Sequence, residues 1–186
     1  MPFCTQCGAQ VGANDGFYSS NSYPFIARGW QALLVEPHPE AFQKAQQLHR
    51  KRKQVTLLNA ACSDCDGELE LKTYAGDDDG SHSSLGERVE GIAGSPKAPR
   101  GSLWVKVHRL EALLDDFFIP LDFGLLSIDT EGHDFRVLRG ANLTRFRPRV
   151  IITEKNPDDE EKFAYLRANG YHRHADLQYD TIWTAP

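Results

Sequence analysis

No apolar run in the chain approaches the ~20 residues that a membrane-spanning helix needs. The opening MPFCTQCGAQ lacks the apolar core of a secretion signal. These two absences predict a cytoplasmic protein with no membrane span and with reduced thiols. A surplus of positive charge is missing as well. The 21 Lys and Arg against 26 Asp and Glu leave a net charge of −5, which excludes a general nucleic-acid binder, since such proteins carry a basic surface. Cysteine is scarce: four residues, arranged as two CxxC pairs, Cys4/Cys7 and Cys62/Cys65. Internal repeats and linker-like stretches are also lacking, so residues 1–186 are expected to form one domain. With 40% apolar and 25% charged residues, the chain has the make-up of a globular protein long enough for one buried core.

Short apolar runs alternate with helical patterns, the signature of βαβ units and a mostly parallel sheet. The pattern predicts a first strand over about Gln6–Val11, a glycine turn GANDG, and a helix reaching about Ile26. ALLVE (Ala32–Glu36) reads as a buried strand, and Glu40–Lys51 as a helix with Phe42, Ala45 and Leu48 on one face. Gln54–Ala60 is a third strand. Glu68–Tyr74 alternates as a half-exposed strand, and Leu103–His108 alternates again as a partner for it. Between them, about 75–102, lies a Gly-, Asp-, Ser- and Pro-rich inserted loop, the kind of stretch that shapes substrate choice. The α/β rhythm then resumes. It gives a helix at LEALLDDF, a strand at Phe123–Asp129, and a helix over Asp134–Arg139 with Phe135 and Leu138 inward. A strand at Pro148–Glu154 follows, then a helix capped by Asn156 and ended at Gly170, and two final strands at Tyr171–Ala175 and Thr181–Thr184.

Three motifs carry chemistry. Gly12 in VGANDG permits a tight turn, and the free N–H groups beyond it suit an anionic or carboxylate ligand. Glu36 ends the second strand about 20 residues later, the place where an acidic residue accepts hydrogen bonds from ribose hydroxyls. SIDTEGHDF puts Asp129, Glu131 and His133 at and beyond a strand's C-terminal end, the ligand-binding edge of an open α/β sheet, and Glu154 ends the next strand on the same edge.

Three blocks occur in order: VGANDGFYSSNSYPFIARGWQALLVEPHPEAF, NAACSDCDGELEL and LLSIDTEGHDFRVLRGANLTRFRPRVIITEKNPDDEEKF. Together they resemble the FkbM-type methyltransferases from about Val11 to the C-terminus. The resemblance implies a Rossmann-like class I methyltransferase fold, with a seven-stranded, mostly parallel sheet containing one antiparallel strand. It implies S-adenosyl-L-methionine (SAM) as cofactor and methyl donor. Carried over, Gly12, Ala13, Asn14, Asp15 and Gly16 contact the methionine part of SAM, Glu36 holds the ribose, and Asn59, Ala60 and Ala61 lie by the adenine. Ser20 and Asn21 face the pocket, and Asp129 sits beside the methyl group and the acceptor. Gln10 stands where the family usually has Asp or Glu near the SAM ammonium, a neutral amide in place of a charge. The covering N-terminal helices common in such enzymes do not appear in this sequence, which leaves the acceptor site open or completed by a partner.

Methyl transfer asks chiefly for alignment and exclusion of water. An oxygen acceptor also loses a proton, for which Asp129 and His133 are the candidate bases. The expected acceptor is a small molecule, sugar or lipid-like compound, with O-methylation favoured over N-methylation. Homo-oligomer formation is left open. Among the rival readings, a Cys₄ zinc site is disfavoured because the two CxxC pairs fall at opposite ends of non-adjacent strands. A catalytic metal at Asp129, Glu131, His133 and Glu154 is chemically feasible but not called for by the resemblance, so no metal is expected. HRKRK (His49–Lys53) reads as a solvated helix end rather than a nucleic-acid site. A module that binds SAM without catalysis is the remaining alternative.

Overall fold

The computed structural model describes residues 4–74, 83–85, 99–156 and 159–186, with backbone alone at 4, 5, 84, 99 and 100. The described elements run β1 (Cys4–Val11), α1 (Tyr23–Ile26), β2 (Gln31–Val35), α2 (Pro39–His49), β3 (Val55–Leu58), β4 (Ala61–Ser63), β5 (Gly67–Tyr74) and β6 (Ser84–Leu85). They continue with β7 (Pro99–Arg109), α3 (Leu110–Asp116), β8 (Phe123–Ile128), α4 (Asp134–Gly140), β9 (Val150–Glu154), α5 (Glu160–Ala168), β10 (His172–Asp176) and β11 (Asp180–Thr184).

Seven strands form the main sheet in the order β10-β11-β9-β8-β1-β2-β3. β3, β2, β1, β8 and β9 are mutually parallel, and β11 runs antiparallel to both its neighbours. This is the expected α/β architecture, a seven-stranded, mostly parallel sheet with one antiparallel strand. The central strands are apolar on both faces because helices cover a parallel sheet on each side. Every residue of β8, FGLLSI, is buried, and so are Ala32–Val35 of β2. From β1 the chain moves outward through β2 and β3, then returns to the other side of β1 at β8. The space above the β1–β8 junction is therefore the topological switch point, where an open α/β sheet holds its ligand.

Four strands make a second, smaller sheet in the order β4-β7-β5-β6. The antiparallel β5–β7 pair is the one anticipated from the alternating segments. The third strand was expected over Gln54–Ala60, with no strand at 61–63. Instead the chain leaves the main sheet after Leu58, and Ala61–Ser63 pairs in parallel with Val107–Arg109. Gly140 of α4 lets that helix lie directly on β4, because a Cβ there would sit 1.9 Å from the Ser63 carbonyl oxygen. β7 begins at Pro99, so the expected loop is strand over 99–102; its parts at 75–82 and 86–98 lie outside the described residues.

Three further expectations are corrected. The first helix is a single turn, because Asn14, Ser19 and the glycines at 12 and 16 take positive φ and the Asp15 carboxylate ties the N–H groups of Phe17 and Tyr18 into a local turn. α2 buries Ala41, Ala45 and His49, at a spacing of four; Phe42 is only half-buried and Leu48 is exposed. The cap of α5 is Asp159, not Asn156, whose N–H donates to the Asp159 carboxylate. No helix among the described residues is long and apolar enough to cross a membrane.

Candidate functional site

Strand register builds the site. Val11 pairs with Val35 on one side and Ile128 on the other; Val35 pairs with Leu58, and Ile128 with Thr153. Gly12, Glu36, Asn59, Asp129 and Glu154 are each the next residue, so five strand ends present one row along the C-terminal edge. Asp180 of the antiparallel β11 lies directly opposite Glu154 and joins the row from the other direction. Above it is a cavity of about 730 Å³, within the range of small-molecule and cofactor sites.

The GANDG turn closes tightly over β1. Gly12 has φ +76°, and a Cβ on it would sit 1.7 Å from the Asp129 carbonyl oxygen. The N–H groups of Gly12 and Ala13 both donate to the Val35 carbonyl. Glu36 is buried against this turn: its Oε2 accepts from Asn14 N at 2.7 Å and its Oε1 from His38 N at 2.8 Å. These two bonds tie Glu36 to the glycine turn and to the start of the next loop, and its carboxylate lines the cavity. Asn14 lines the cavity, and its buried Oδ1 has no partner.

Gln10, Gly12, Ala13, Asn14, Ser20, Asn21, Glu36, Ala61 and Asp129 line this cavity. Asp15, Gly16, Asn59, Ala60 and His133 are not among its lining residues. Asp15 caps the turn, and Gly16 packs under His49, whose Nε2 is 3.2 Å from the Gly16 carbonyl. Asn59 fixes the strand-end loop by donating to the carbonyls of Glu36 and Pro37. Gln10 is a local hub: its Oε1 accepts from Ser20 Oγ (2.9 Å), Ser22 Oγ (2.5 Å) and Ser22 N (3.2 Å). That oxygen is saturated, so the amide shapes the 20–22 segment and offers no spare acceptor to a ligand. Asn21 reaches the buried Ser127 Oγ at 3.2 Å.

His133 faces the smaller sheet. Its Nε2 is 2.9 Å from Ser63 Oγ, and burial holds the imidazole at a pKa of about 4, a weak base. Asp129 behaves oppositely. Burial first, then the neighbouring carboxylates of Asp134 and Glu131, push its pKa up to about 8. Burial and the carboxylates of Asp134 and Asp129 likewise push Glu154 to about 9. Glu131 takes positive φ (53°), which folds its side chain back toward this pair. One oxygen from each of Asp129, Glu131 and Glu154 lies within 4.8 Å of the others.

The residues that sequence reasoning missed hold this cluster in place. Asp134 is fully buried and accepts from Thr130 N (3.0 Å), Thr130 Oγ1 (2.6 Å) and Glu154 N (3.0 Å), stapling the end of β8 to the end of β9. Buried Lys162 pairs with Asp159 at 2.6 Å, donates to the Glu154 carbonyl and lies 3.9 Å from Asp134 Oδ2. Tyr179 and Asp180 line the cavity too. Asp134 is legible in sequence only as a helix-start acid, and Lys162 only as a polar position on a helix. None of the described thiols belongs to the acidic cluster, although Cys62 lines the cavity. Cys7 and Cys62 are buried in the core, and Cys65 is exposed. The Cys4 side chain lies outside the described residues. Among the described residues no cysteine belongs to a potential metal-binding group.

This topology and this edge define a class I methyltransferase architecture. A family profile described as the Methyltransferase FkbM domain matches residues 10–173, and the chain belongs to that family. The family is one of methyltransferases, and S-adenosyl-L-methionine is the cofactor it implies. Among solved structures it is similar to a methyltransferase FkbM from Methylobacillus flagellatus KT, with TM-score 0.61 and 14% identity, covering 99% of this chain and 44% of that one. It is also similar to a precorrin-6y C5,15-methyltransferase from Geobacter metallireducens GS-15, with TM-score 0.52 and 14% identity, covering 100% and 81%. The chain therefore spans less than half the length of the first of these proteins. No curated protein matches it significantly. The site's own features fit SAM. The Glu36 carboxylate lines the cavity as an acceptor group, the buried Asn14 Oδ1 without a partner suits a donor, and Ala61, Cys62 and Leu71 supply an apolar wall for a base.

Proposed function

We propose that the chain methylates a hydroxyl oxygen of a small-molecule, sugar or lipid-like acceptor. The observation that carries this reading is the continuous row from Glu36 through Gly12 to Asp129, all lining one cavity. Bound SAM supplies a methyl group already activated on a positively charged sulfur. Glu36 is assigned to the ribose hydroxyls, and Ala61 with its apolar neighbours to the adenine. The Gly12–Asn14 turn is assigned to the methionine part through its shape, since its own N–H groups are taken by the Val35 carbonyl and the Glu36 carboxylate, against the expectation of free N–H groups there.

Asp129, at the centre of the edge, is assigned to positioning the acceptor hydroxyl and receiving its proton. His133 is set aside from that role because its imidazole is turned to Ser63. Phe17 and Tyr18 are exposed on one rim of the cavity and Tyr179 on another, which supports an acceptor with an apolar body or a sugar face to stack. The test is transfer of labelled methyl from SAM to a panel of hydroxyl-bearing sugars and lipids. Asp129→Ala is expected to lower kcat by about a hundredfold or more, and His133→Ala to retain turnover within about tenfold. Near-normal turnover of Asp129→Ala would refute the assignment.

A further inference from the structure

The acidic cluster beyond the proposed donor position is built more elaborately than methyl transfer alone requires. Asp129, Glu131 and Glu154 bring one oxygen each to within 4.8 Å of one another, and Asp180 faces Glu154 across the β9–β11 ladder. A separate observation concerns Glu154 alone. The residue is 8% exposed, and its Oε2 is buried with no hydrogen-bond partner. A buried carboxylate oxygen left bare is costly. Asp134, still more deeply buried, has its oxygens taken by three donors and is approached by Lys162. That lysine turns its ammonium to Asp159, Asp134 and the Glu154 carbonyl, and no ion pair between it and the Glu154 side chain is formed.

We infer that Asp129, Glu131 and Glu154 form a site for a hard divalent cation of the Mg²⁺ or Mn²⁺ type, placed in the acceptor half of the cavity. The donor set is all oxygen, which selects such ions over zinc or copper. Around an octahedral ion with bonds of ~2.1 Å, adjacent ligand oxygens lie about 3.0 Å apart, so the three side chains would each close on it by up to about 1 Å. Positions not filled by the three carboxylates are open to water or to acceptor oxygens. A cation there would draw an acceptor hydroxyl to Asp129 and make that hydroxyl more acidic. The function of the site thus rests on the methyltransfer reading above; its existence does not.

The test is an electron paramagnetic resonance titration of the whole chain with Mn²⁺ alone, repeated with S-adenosylhomocysteine present and with Mg²⁺ as competitor. The expected result is one Mn²⁺ bound per chain and released by Mg²⁺, with binding weakened about tenfold or more in Glu154→Gln and in Glu131→Gln. Melting curves without metal show whether each variant is folded, and the Mg²⁺ competition on the unaltered chain needs no variant. Three results would overturn the site: no Mn²⁺ uptake up to millimolar concentration, equal uptake by the folded variants, or a loss of S-adenosylhomocysteine affinity in Glu154→Gln without Mn²⁺ binding. The last would mean that the donor's own cationic groups meet these carboxylates. Failure of the unaltered chain to bind S-adenosylhomocysteine would sink the methyltransfer reading instead, whatever the Mn²⁺ result.

Discussion

A Cβ at position 12 has nowhere to go, since it would sit 1.7 Å from the Asp129 carbonyl oxygen on a backbone with φ +76°. Gly12→Ala must therefore push the glycine turn away from the β8 end, straining both the fold and the cavity floor. The expected cost is about 2 kcal/mol or more in urea unfolding, together with loss of measurable S-adenosylhomocysteine binding; unchanged stability would show that the turn is looser than described. His49 is the second residue with a sharp prediction. Burial lowers its pKa from 6.5, and its ring packs against Gly16. Its neutral form is favoured in the folded state, so the unfolded chain takes up the proton first as pH falls. Its contribution to stability is full above pH 6.5 and declines as pH drops below that value toward the depressed folded pKa. Urea midpoints measured between pH 7.5 and 5 should fall, and the fall should be shallower in His49→Gln; identical slopes would contradict this.

Most elements were legible in the sequence because their signal is local. Apolar runs such as ALLV and FGLLSI announce buried parallel strands, and the alternation in Glu68–Tyr74 announces a strand with one exposed face. What stayed hidden depends on pairing between distant segments. Ala61–Ser63 was not anticipated as a strand, because its partners are 46 residues away in β7. The buried face of α2 was misjudged because His49 replaces Leu48 as the inward residue, drawn by the Gly16 carbonyl. At the site, Glu36 and Asp129 were readable from their strand-end positions, whereas Asp134 and Lys162 emerge only once β8, β9 and α5 are together. The junction of α4 with β4 offers a test at this scale. Gly140→Ala would place a methyl 1.9 Å from the Ser63 carbonyl oxygen and is expected to cost about 1–3 kcal/mol, seen as a lower melting temperature. Ser63→Ala keeps that space open but leaves the buried His133 Nε2 without its partner, a smaller loss of about 1 kcal/mol.

Across the whole molecule, two sheets divide the labour. The seven-stranded sheet aligns five strand ends into one row, and the four-stranded sheet adds Leu71 and Leu85 to the wall beside that row. Carboxyl groups collect along the same edge, from Glu36 through Asp129 to Asp180, and a bound positive charge would favour their ionised forms. Such an edge suits a ligand that carries positive charge and a ribose together, which is the central claim here. Isothermal titration of the chain with S-adenosylhomocysteine tests it most directly. The account predicts one binding site per chain, weakened about ten- to a hundredfold in Glu36→Gln, where the charge-assisted hydrogen bonds to the ribose are lost. Absence of binding to the unaltered chain, or equal affinity in a folded Glu36→Gln variant, would contradict it.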